Sequence, residues 1–521
     1  MEYSDIIIIG GGAAGLMAAI GAGKAFSGAV KTDKAKDADN SRSTDNTGDI
    51  NTTGTKGHTI AVIEKMPRPG RKIMITGKGR CNITNMKSWN EFSGHIHPKA
   101  NPLKPAFHNL NTEAVVRFFN DNGLETVLER GDRVFPASHL ASDVVDTLVR
   151  TVSESGAQLH TGCEVSEIKY VTGNARYPES GSDDSYPGAE NRTDDAGIFR
   201  IVCRSGREFT CRKLVIATGG LSYPGTGSTG DGYLWARQFG HTVSRCFPSL
   251  TAIVPEGYKI SGESAPQNTK KTVNVMTASG NADGRQVKDS QMTPLKGHID
   301  RSVPLSETGS LLNGNQLKNV TLTLIIDGNT VQEEFGDLDF TDGGIEGPTG
   351  FKVSRKCVNA LINGSKATVS IDLKPAVDKE ALDARIRNLW QEIANDRRSQ
   401  GKKYEDRFRI LLGKLIPMSL VQGFRRCNPT IDHTNLASRL KNWKMDIRGF
   451  VGYERCVITA GGVSTGEIIS KTLESKLQPG LYFAGEILDL DGDTGGYNLQ
   501  TAFSTGMLAG ESAARSLVSG K

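Results

Sequence analysis

The stretch Asp5-Ile6-Ile7-Ile8-Ile9-Gly10-Gly11-Gly12-Ala13-Ala14-Gly15-Leu16-Met17-Ala18-Ala19-Ile20 decides the fold. Four consecutive isoleucines predict a strand buried on both faces, as in a parallel sheet covered by helices. A glycine turn follows at once, and then small and apolar residues at helical spacing. This strand–turn–helix context is the one in which G-x-G-x-x-G binds a dinucleotide. Gly10 permits the tight turn, Gly12 removes a side chain so that the backbone approaches a pyrophosphate, and Gly15 lets helix and strand pack closely. The helix start, with Ala14 in its first turn, offers free N–H groups and a partial positive charge to phosphate.

Working outward, such a fold needs an acid at the end of its second strand, about 20 residues beyond the last glycine. His58-Thr-Ile-Ala-Val-Ile-Glu64-Lys65 ends in one, but Glu64 lies 49 residues after Gly15. Residues 31–57 are polar, small and aperiodic; leaving out those 27 reduces the interval to 22. Glu64 is then placed to accept hydrogen bonds from the adenosine ribose, and its charge disfavours a 2′-phosphate. Residues 173–196 and about 257–309 share the polar character of 31–57. All three read as disordered or mobile surface insertions.

Helices are expected at 112–122 and 140–155, strands around 158–171 and 198–203, and a buried strand ending at Ala217-Thr218-Gly219. The chain is β-rich from about 248 to 375, helical and charged from about 377 to 425, and returns to glycine-rich strand–turn–helix patterning after 450. An α/β frame that is interrupted and resumed implies an inserted middle. The expected divisions are 1–247 and 454–521 for a discontinuous nucleotide-binding domain, 248–376 for a β-rich insert, 377–435 for a helical insert, and 436–453 for the return to the β-rich part.

Composition bounds the rest. The 521 residues carry a net charge of +5 and are 37% hydrophobic, and no apolar run is long enough for a membrane span. With no basic leader before the first strand, a cytoplasmic protein is expected. Eight scattered cysteines form no C-x-x-C and no zinc spacing, so no metal site is expected. The histidines have no metal-like spacing either; His95 and His97, the nearest pair, read as exposed loop residues. Asp489, Asp491 and Asp493 resemble the opening of a calcium loop, but Gln500 stands where the bidentate glutamate belongs. The mild net charge gives no reason to expect nucleic acid as a partner.

Several motifs together carry a resemblance. They are Ile8–Ala18, the run Arg71-Lys-Ile-Met-Ile-Thr-Gly-Lys-Gly-Arg-Cys-Asn-Ile-Thr-Asn85, Val134-Phe-Pro136, Ala217–Gly232, Ile458–Val463 and Gly485-Glu486-Ile-Leu-Asp489-Leu-Asp-Gly-Asp-Thr-Gly-Gly496-Tyr497-Asn498-Leu499-Gln500. Without its polar insertions the chain resembles the bacterial BaiN/RdsA-like, aminoacetone-oxidase-like family of NAD(P)/FAD-dependent oxidoreductases. The resemblance implies an α/β fold: a discontinuous Rossmann-like FAD domain of glutathione-reductase type, with a β-barrel-like insert and a small helical domain. It implies FAD contacts from Gly10, Gly12, Ala14, Gly15, Glu64, Lys65, Arg71, Thr76, Gly77, Gly79, Arg80, Cys81, Asn82, Ala217, Thr218, Gly219, Gly485, Glu486, Asp489, Gly496, Tyr497, Asn498 and Leu499.

The individual motifs suggest roles. The cationic 71–82 loop suits a pyrophosphate. Val165 is expected to set a backbone amide against the adenine. Glu486 or Asp489 would hydrogen-bond the ribityl chain, and the start of the last helix would face the flavin N1 and C2 carbonyl. Cys81 stands alone, without the second thiol that disulfide-relay chemistry needs. Gly225-Thr-Gly227-Ser-Thr-Gly230 is a second G-x-G-x-x-G, leading into a helix; it follows Pro224 rather than a strand, and reads as a cleft wall more readily than as an NAD(P)H site. Tyr223, Asp231 and Tyr497 are the candidate acid–base residues. The expected activity is hydride exchange between FAD and a small organic substrate, as reduction of an activated C=C with NAD(P)H as donor. The alternatives are a small-amine oxidase, a flavoprotein that modifies RNA, and a flavin-binding sensor.

Overall fold

The computed structural model describes residues 1–40, 57–172, 197–260 and 295–518. The chain divides into two units, Met1–Cys246 with Ala460–Lys521, and Phe247–Thr459.

The first unit is a Rossmann layer. β1 (Glu2–Ile9) is central, and Ile6, Ile7 and Ile8 are fully buried. Each buried isoleucine contributes about 2 kcal/mol of transfer free energy. β1 pairs in parallel with β2 (Ile60–Ile63) on one side and with Glu208–Ile216 on the other. Gln158–His160 extends the sheet beyond β2. The Glu208–Ile216 strand is shared along its length. Its first half pairs antiparallel with Ile198–Cys203, itself paired with Val165–Val171, and its last three residues pair in parallel with Leu481–Phe483. The register sets Ile9, Ile63 and Ile216 side by side, with Phe483 opposite Ile216. The carboxyl ends of four parallel strands therefore open onto one edge, where an open α/β sheet binds its ligand.

The two chain ends are joined by helix packing. Helix α1 (Ala13–Asn40) has an almost continuous buried run from Ala14 to Ala22. It lies against the last helix, Tyr497–Val518. Gly506 and Gly510 there sit so close to the carbonyls of Ala14 and Ala18 that a methyl group on either would overlap those oxygens. Absent side chains set this spacing, which is why the two segments read only as small-residue helices from sequence.

The second unit is a closed six-stranded barrel, in the order Ile253–Pro255, Gly344–Glu346, Asn329–Thr341, Gln316–Ile326, Ala367–Asp372 and Trp443–Phe450. Trp443–Phe450 alternates buried and exposed residues, with Trp443 wholly inside. Helix Gly347–Ile362 lies within the stretch read as β-rich; Pro348 in its first turn is a helix-start signal that its glycines and valine mask. Four further helices follow: Lys379–Asn395, Tyr404–Leu415, Met418–Cys427 and Leu436–Lys441.

The polar stretches differ from expectation where they are described. Residues 31–40 continue α1 as helix rather than loop. Residues 41–56, 173–196 and 261–294 lie outside the described residues. Residues 295–309 are ordered: Ile299 and Phe450 exchange backbone bonds through Ile299 N–Phe450 O and Phe450 N–Gly297 O, both 2.9 Å, and a helix starts at Glu307, capped by the Ser306 hydroxyl. Backbone pairing supplies there what low hydrophobicity does not.

Candidate active site

At the sheet edge the first glycine turn has the geometry a phosphate requires. Gly10 has φ 109°, and a Cβ there would lie 2.8 Å from the Ala217 carbonyl carbon. Gly12 is different: a Cβ built on it meets nothing within 4 Å. Open space therefore lies next to the first N–H groups of α1. At the end of β2, Glu64 is 9% exposed and its carboxylate accepts from Gly11 N at 2.6 Å and Met66 N at 2.7 Å. Burial pushes its pKa up, and those two amides and the cations of Lys65 and Arg71 offset part of that rise.

The third and fourth strand ends complete the edge. Ala217 is buried, and Thr218 Oγ1 is buried without a hydrogen-bond partner in the structure. Gly219 has φ 74°. After Leu481–Phe483, Gly485 turns at φ 81°, where a Cβ would lie 2.7 Å from Ala14 Cβ. Glu486 accepts from Ser222 Oγ at 2.6 Å and forms an ion pair with Lys72, which also donates to Ser222. Lys72 and Ser222 lie within two of the motifs quoted above but were not among the expected site residues.

The segment expected as a cationic loop begins instead as a short helix, Arg71–Ile75, and the 3-10 turn after it bends sharply. Gly77, Lys78, Gly79 and Cys81 all have φ between 56° and 86°, unusual for the two non-glycines. Arg71 is exposed, and Thr76 is used in closing its own turn through Oγ1 to Ile73 O at 2.7 Å. Asn82 Oδ1 is buried without a partner in the structure. Arg80 departs from its expected place over phosphates: it is bound by Glu129, touches His139 Nδ1 at 2.8 Å and lies 4.3 Å from the Phe135 ring. Burial pushes the Cys81 thiol up to about 12, which leaves it without thiolate character. Val165 opens the outer hairpin strand opposite Cys203.

The acidic loop before the last helix is held from below. His95 Nδ1 and His97 Nε2 contact the two Asp493 oxygens at 2.8 and 3.2 Å, so these histidines are not loose loop residues. Asp493 is half-buried, which would raise its pKa, but the two histidines hold it down to about 2. Asn498 uses its side chain within this loop, accepting from Gly492 N at 2.7 Å and donating to Gly492 O at 2.8 Å. Asp489 accepts from Ser244 Oγ at 2.7 Å. Gly496 has φ 101° at the turn into the last helix, and Leu499 lies in that helix's first turn.

The three acid–base candidates fare differently. Tyr497 is 3% exposed, stacked on His95 at 4.4 Å and packed on Phe92 at 4.9 Å, and burial pushes its phenol up; it is a packing residue. Asp231 is ion-paired to Lys65 at 2.7 Å and accepts from Thr229 at 2.9 Å. Tyr223 is half-buried and holds φ 53°, a costly conformation for an aromatic residue, between Ser222 and Pro224.

The second glycine motif is open at Gly225 but backed by protein at its other two glycines. A Cβ on Gly227 would lie 2.9 Å from Met66 Cγ, and one on Gly230 2.7 Å from Leu221 Cδ2. This turn packs onto the end of β2 as a wall. Among the described residues no group of three or more His, Cys, Asp or Glu is arranged to hold a metal, and no helix is long and apolar enough to cross a membrane.

The residues present fit FAD. Open space at Gly12, the Glu64 carboxylate, and the unpartnered Thr218 and Asn82 oxygens would supply the cradle, the ribose acceptor and free polar contacts. Together they define a Rossmann-fold, FAD-dependent oxidoreductase. More narrowly, the chain belongs to the family described as HI0933-like protein Rossmann domain, whose model matches residues 48–512, beyond the first glycine turn. It is 26% identical to a 3-dehydro-bile acid delta(4,6)-reductase of Clostridium scindens, covering 97% of this chain and 98% of that protein. It is 27% identical to a ribosomal RNA dihydrouridine synthase of Escherichia coli, covering 97% and 96%. A flavocytochrome c3 fumarate reductase structure aligns at TM-score 0.40 and 14% identity over 99% of this chain and 78% of that one, too distant to argue from.

Proposed function

We propose that this FAD-dependent oxidoreductase saturates an activated C=C bond, with NAD(P)H as electron donor. The observation that carries the reading is the convergence of Gly10, Glu64, Thr218 and Glu486 at the ends of four parallel strands. Bound FAD supplies hydride exchange at its isoalloxazine ring. Gly12 and the α1 start would hold the pyrophosphate, and Glu64 the adenosine ribose. The Lys72–Ser222–Glu486 group would orient the ribityl end, with Lys72 keeping a positive charge near it. Tyr223, on its strained turn beside Ser222, is the proposed proton donor to the substrate carbon. The names of the two relatives support this reaction type, since delta(4,6) reduction and dihydrouridine formation both add two hydrogens across a conjugated double bond. They also favour a second substrate, a pyrimidine base in RNA, beside the small-molecule enone.

The test is anaerobic mixing with NADH and with NADPH while following flavin absorbance. Bleaching by either donor, followed by recovery on adding a conjugated enone or a uridine-containing RNA, is expected. Bleaching by a small amine but by neither nicotinamide would replace the proposal with an oxidase. Tyr223→Phe is expected to slow the recovery phase at least tenfold while leaving bleaching by the donor unchanged.

A further inference from the structure

We propose that the tip of the helical insert in the second unit is a docking surface for single-stranded RNA. The inference goes beyond the flavin reading and uses no residue of the first unit. From Arg397 to Lys441 the sequence has eleven Lys or Arg and three Asp or Glu. Net charge within these 45 residues exceeds the +5 of the whole chain, so the remainder carries more acids than bases. The mild overall charge conceals this segregation.

The cations are available. Arg425, Arg426 and Lys441 are ion-paired, to Glu405, Glu307 and Asp372. Arg398 is ion-paired to Asp396, and Lys402 lies in the field of the same carboxylate. Arg397, Lys403, Arg409, Lys414 and Arg439 are exposed and form no ion pair among the described residues. A polyanion would supply the counter-charge that these five cations lack within the protein. Bound phosphates would also release counterions, a gain that falls steeply with salt.

Aromatic rings sit among these charges. Trp390, near the end of helix Lys379–Asn395, stacks on His433 with centroids 4.6 Å apart and planes at 16°. Tyr404 packs edge-on against Trp390 at 5.3 Å, holds His433 Nδ1 through its hydroxyl at 3.1 Å, and is 37% exposed. The Arg407 guanidinium lies 5.7 Å from the Trp390 ring. Arg397, Lys402 and Lys403 lie in the connection that leads directly into Tyr404. Cations for the backbone beside part-exposed rings for the bases is the combination that binds single strands. An acidic peptide would use the charges but leave the rings without a role.

The experiment is fluorescence anisotropy of a fluorescein-labelled, uridine-containing RNA single strand with the full-length, flavin-loaded protein across a salt series. Wild-type binding that weakens steeply with salt is expected. The R397E/K402E/K403E variant should bind at least tenfold more weakly and with a flatter salt dependence. Y404A should weaken binding several-fold without changing that dependence. An unchanged flavin spectrum and melting temperature guard against misfolding, and R397Q/K402Q/K403Q gives the same reading if charge reversal disturbs the fold. Absence of wild-type binding at low salt, or a charge-reversed variant that binds with wild-type affinity and salt dependence, overturns the proposal. Colourless protein would count against the flavin reading alone, because the anisotropy readout does not depend on the cofactor.

Discussion

The two glycine turns, Gly10–Gly15 and Gly225–Gly230, share the pattern G-x-G-x-x-G and differ in what surrounds it. The first follows a buried strand directly, and its middle glycine faces open space. The second follows Tyr223-Pro224, and its middle glycine faces the Met66 side chain. The comparison teaches that a phosphate cradle is a glycine turn plus unfilled volume beside free N–H groups, and that the pattern alone supplies only the turn.

The sharpest way to break the comparison is Gly12→Val. A Cβ at this position meets no atom within 4 Å, and replacing an N-cap glycine costs the fold about 1 kcal/mol. The purified variant is expected to keep the melting temperature of the flavin-free wild type and to lose FAD by a factor of roughly 100 or more, about 3 kcal/mol. Wild-type flavin content in this variant would show that the open space is not the phosphate site.

Glu64→Gln comes next. It keeps the shape at the end of β2, but it removes the charge and sets an NH2 group against one of the two backbone N–H donors, Gly11 or Met66, that the carboxylate accepts. A fall of roughly 10- to 100-fold in FAD affinity, about 1.5–3 kcal/mol, is expected together with a lower melting temperature. Because burial raises the Glu64 pKa, wild-type affinity should already fall as pH drops toward 4.5 from above, while the affinity of the amide variant stays flat. Titration calorimetry across that range distinguishes the two.

The turn at Gly495–Gly496 is a third case. It too precedes a helix, but the Asp493 loop before it is fixed by His95 and His97. The Asp493 pKa is lowered from 3.8 to about 2, so its contribution to stability is complete above about pH 4 and is lost as pH falls toward 2. That contribution is about 2 kcal/mol. Asp493→Asn should therefore lower the melting temperature at neutral pH, and the gap to wild type should close on acidification below about pH 4. A gap that is constant with pH would mean that the two histidine contacts carry no charge.

What was legible in the sequence follows the same division. Ile6–Ile9, the glycine turn and Glu64 are dictated by local chain geometry and by the period of burial, so the strand, the turn and an acid at the end of the second strand could be read directly, even across residues 31–57. The expected α/β frame with an inserted barrel depended on pattern changes along the chain, which also registered. The Lys72–Ser222–Glu486 and His95–His97–Asp493 groups could not be read. Their members lie 150 or more residues apart, or on a turn whose charge suggested calcium, and only tertiary contact gives them partners. Nor could the protein partners of the Arg80 guanidinium and of the Asn498 side-chain amide be read from their motifs.

Gly227→Ala tests the other side of the comparison and has the smallest expected effect. Its φ of 112° disfavours any side chain, and the added methyl would press on Met66 Cγ at 2.9 Å. Met66 is flexible and can yield, so the cost is that of the backbone, about 1 kcal/mol, read as a drop of a few degrees in melting temperature. FAD content should stay at the wild-type level, the reverse of Gly12→Val, where stability holds and the cofactor is lost. If Gly227→Ala instead lowers the affinity for NADH or NADPH in the anaerobic assay without lowering the melting temperature, the second turn is a nucleotide site after all. The packing of Met66 against it would then have to open when the donor binds.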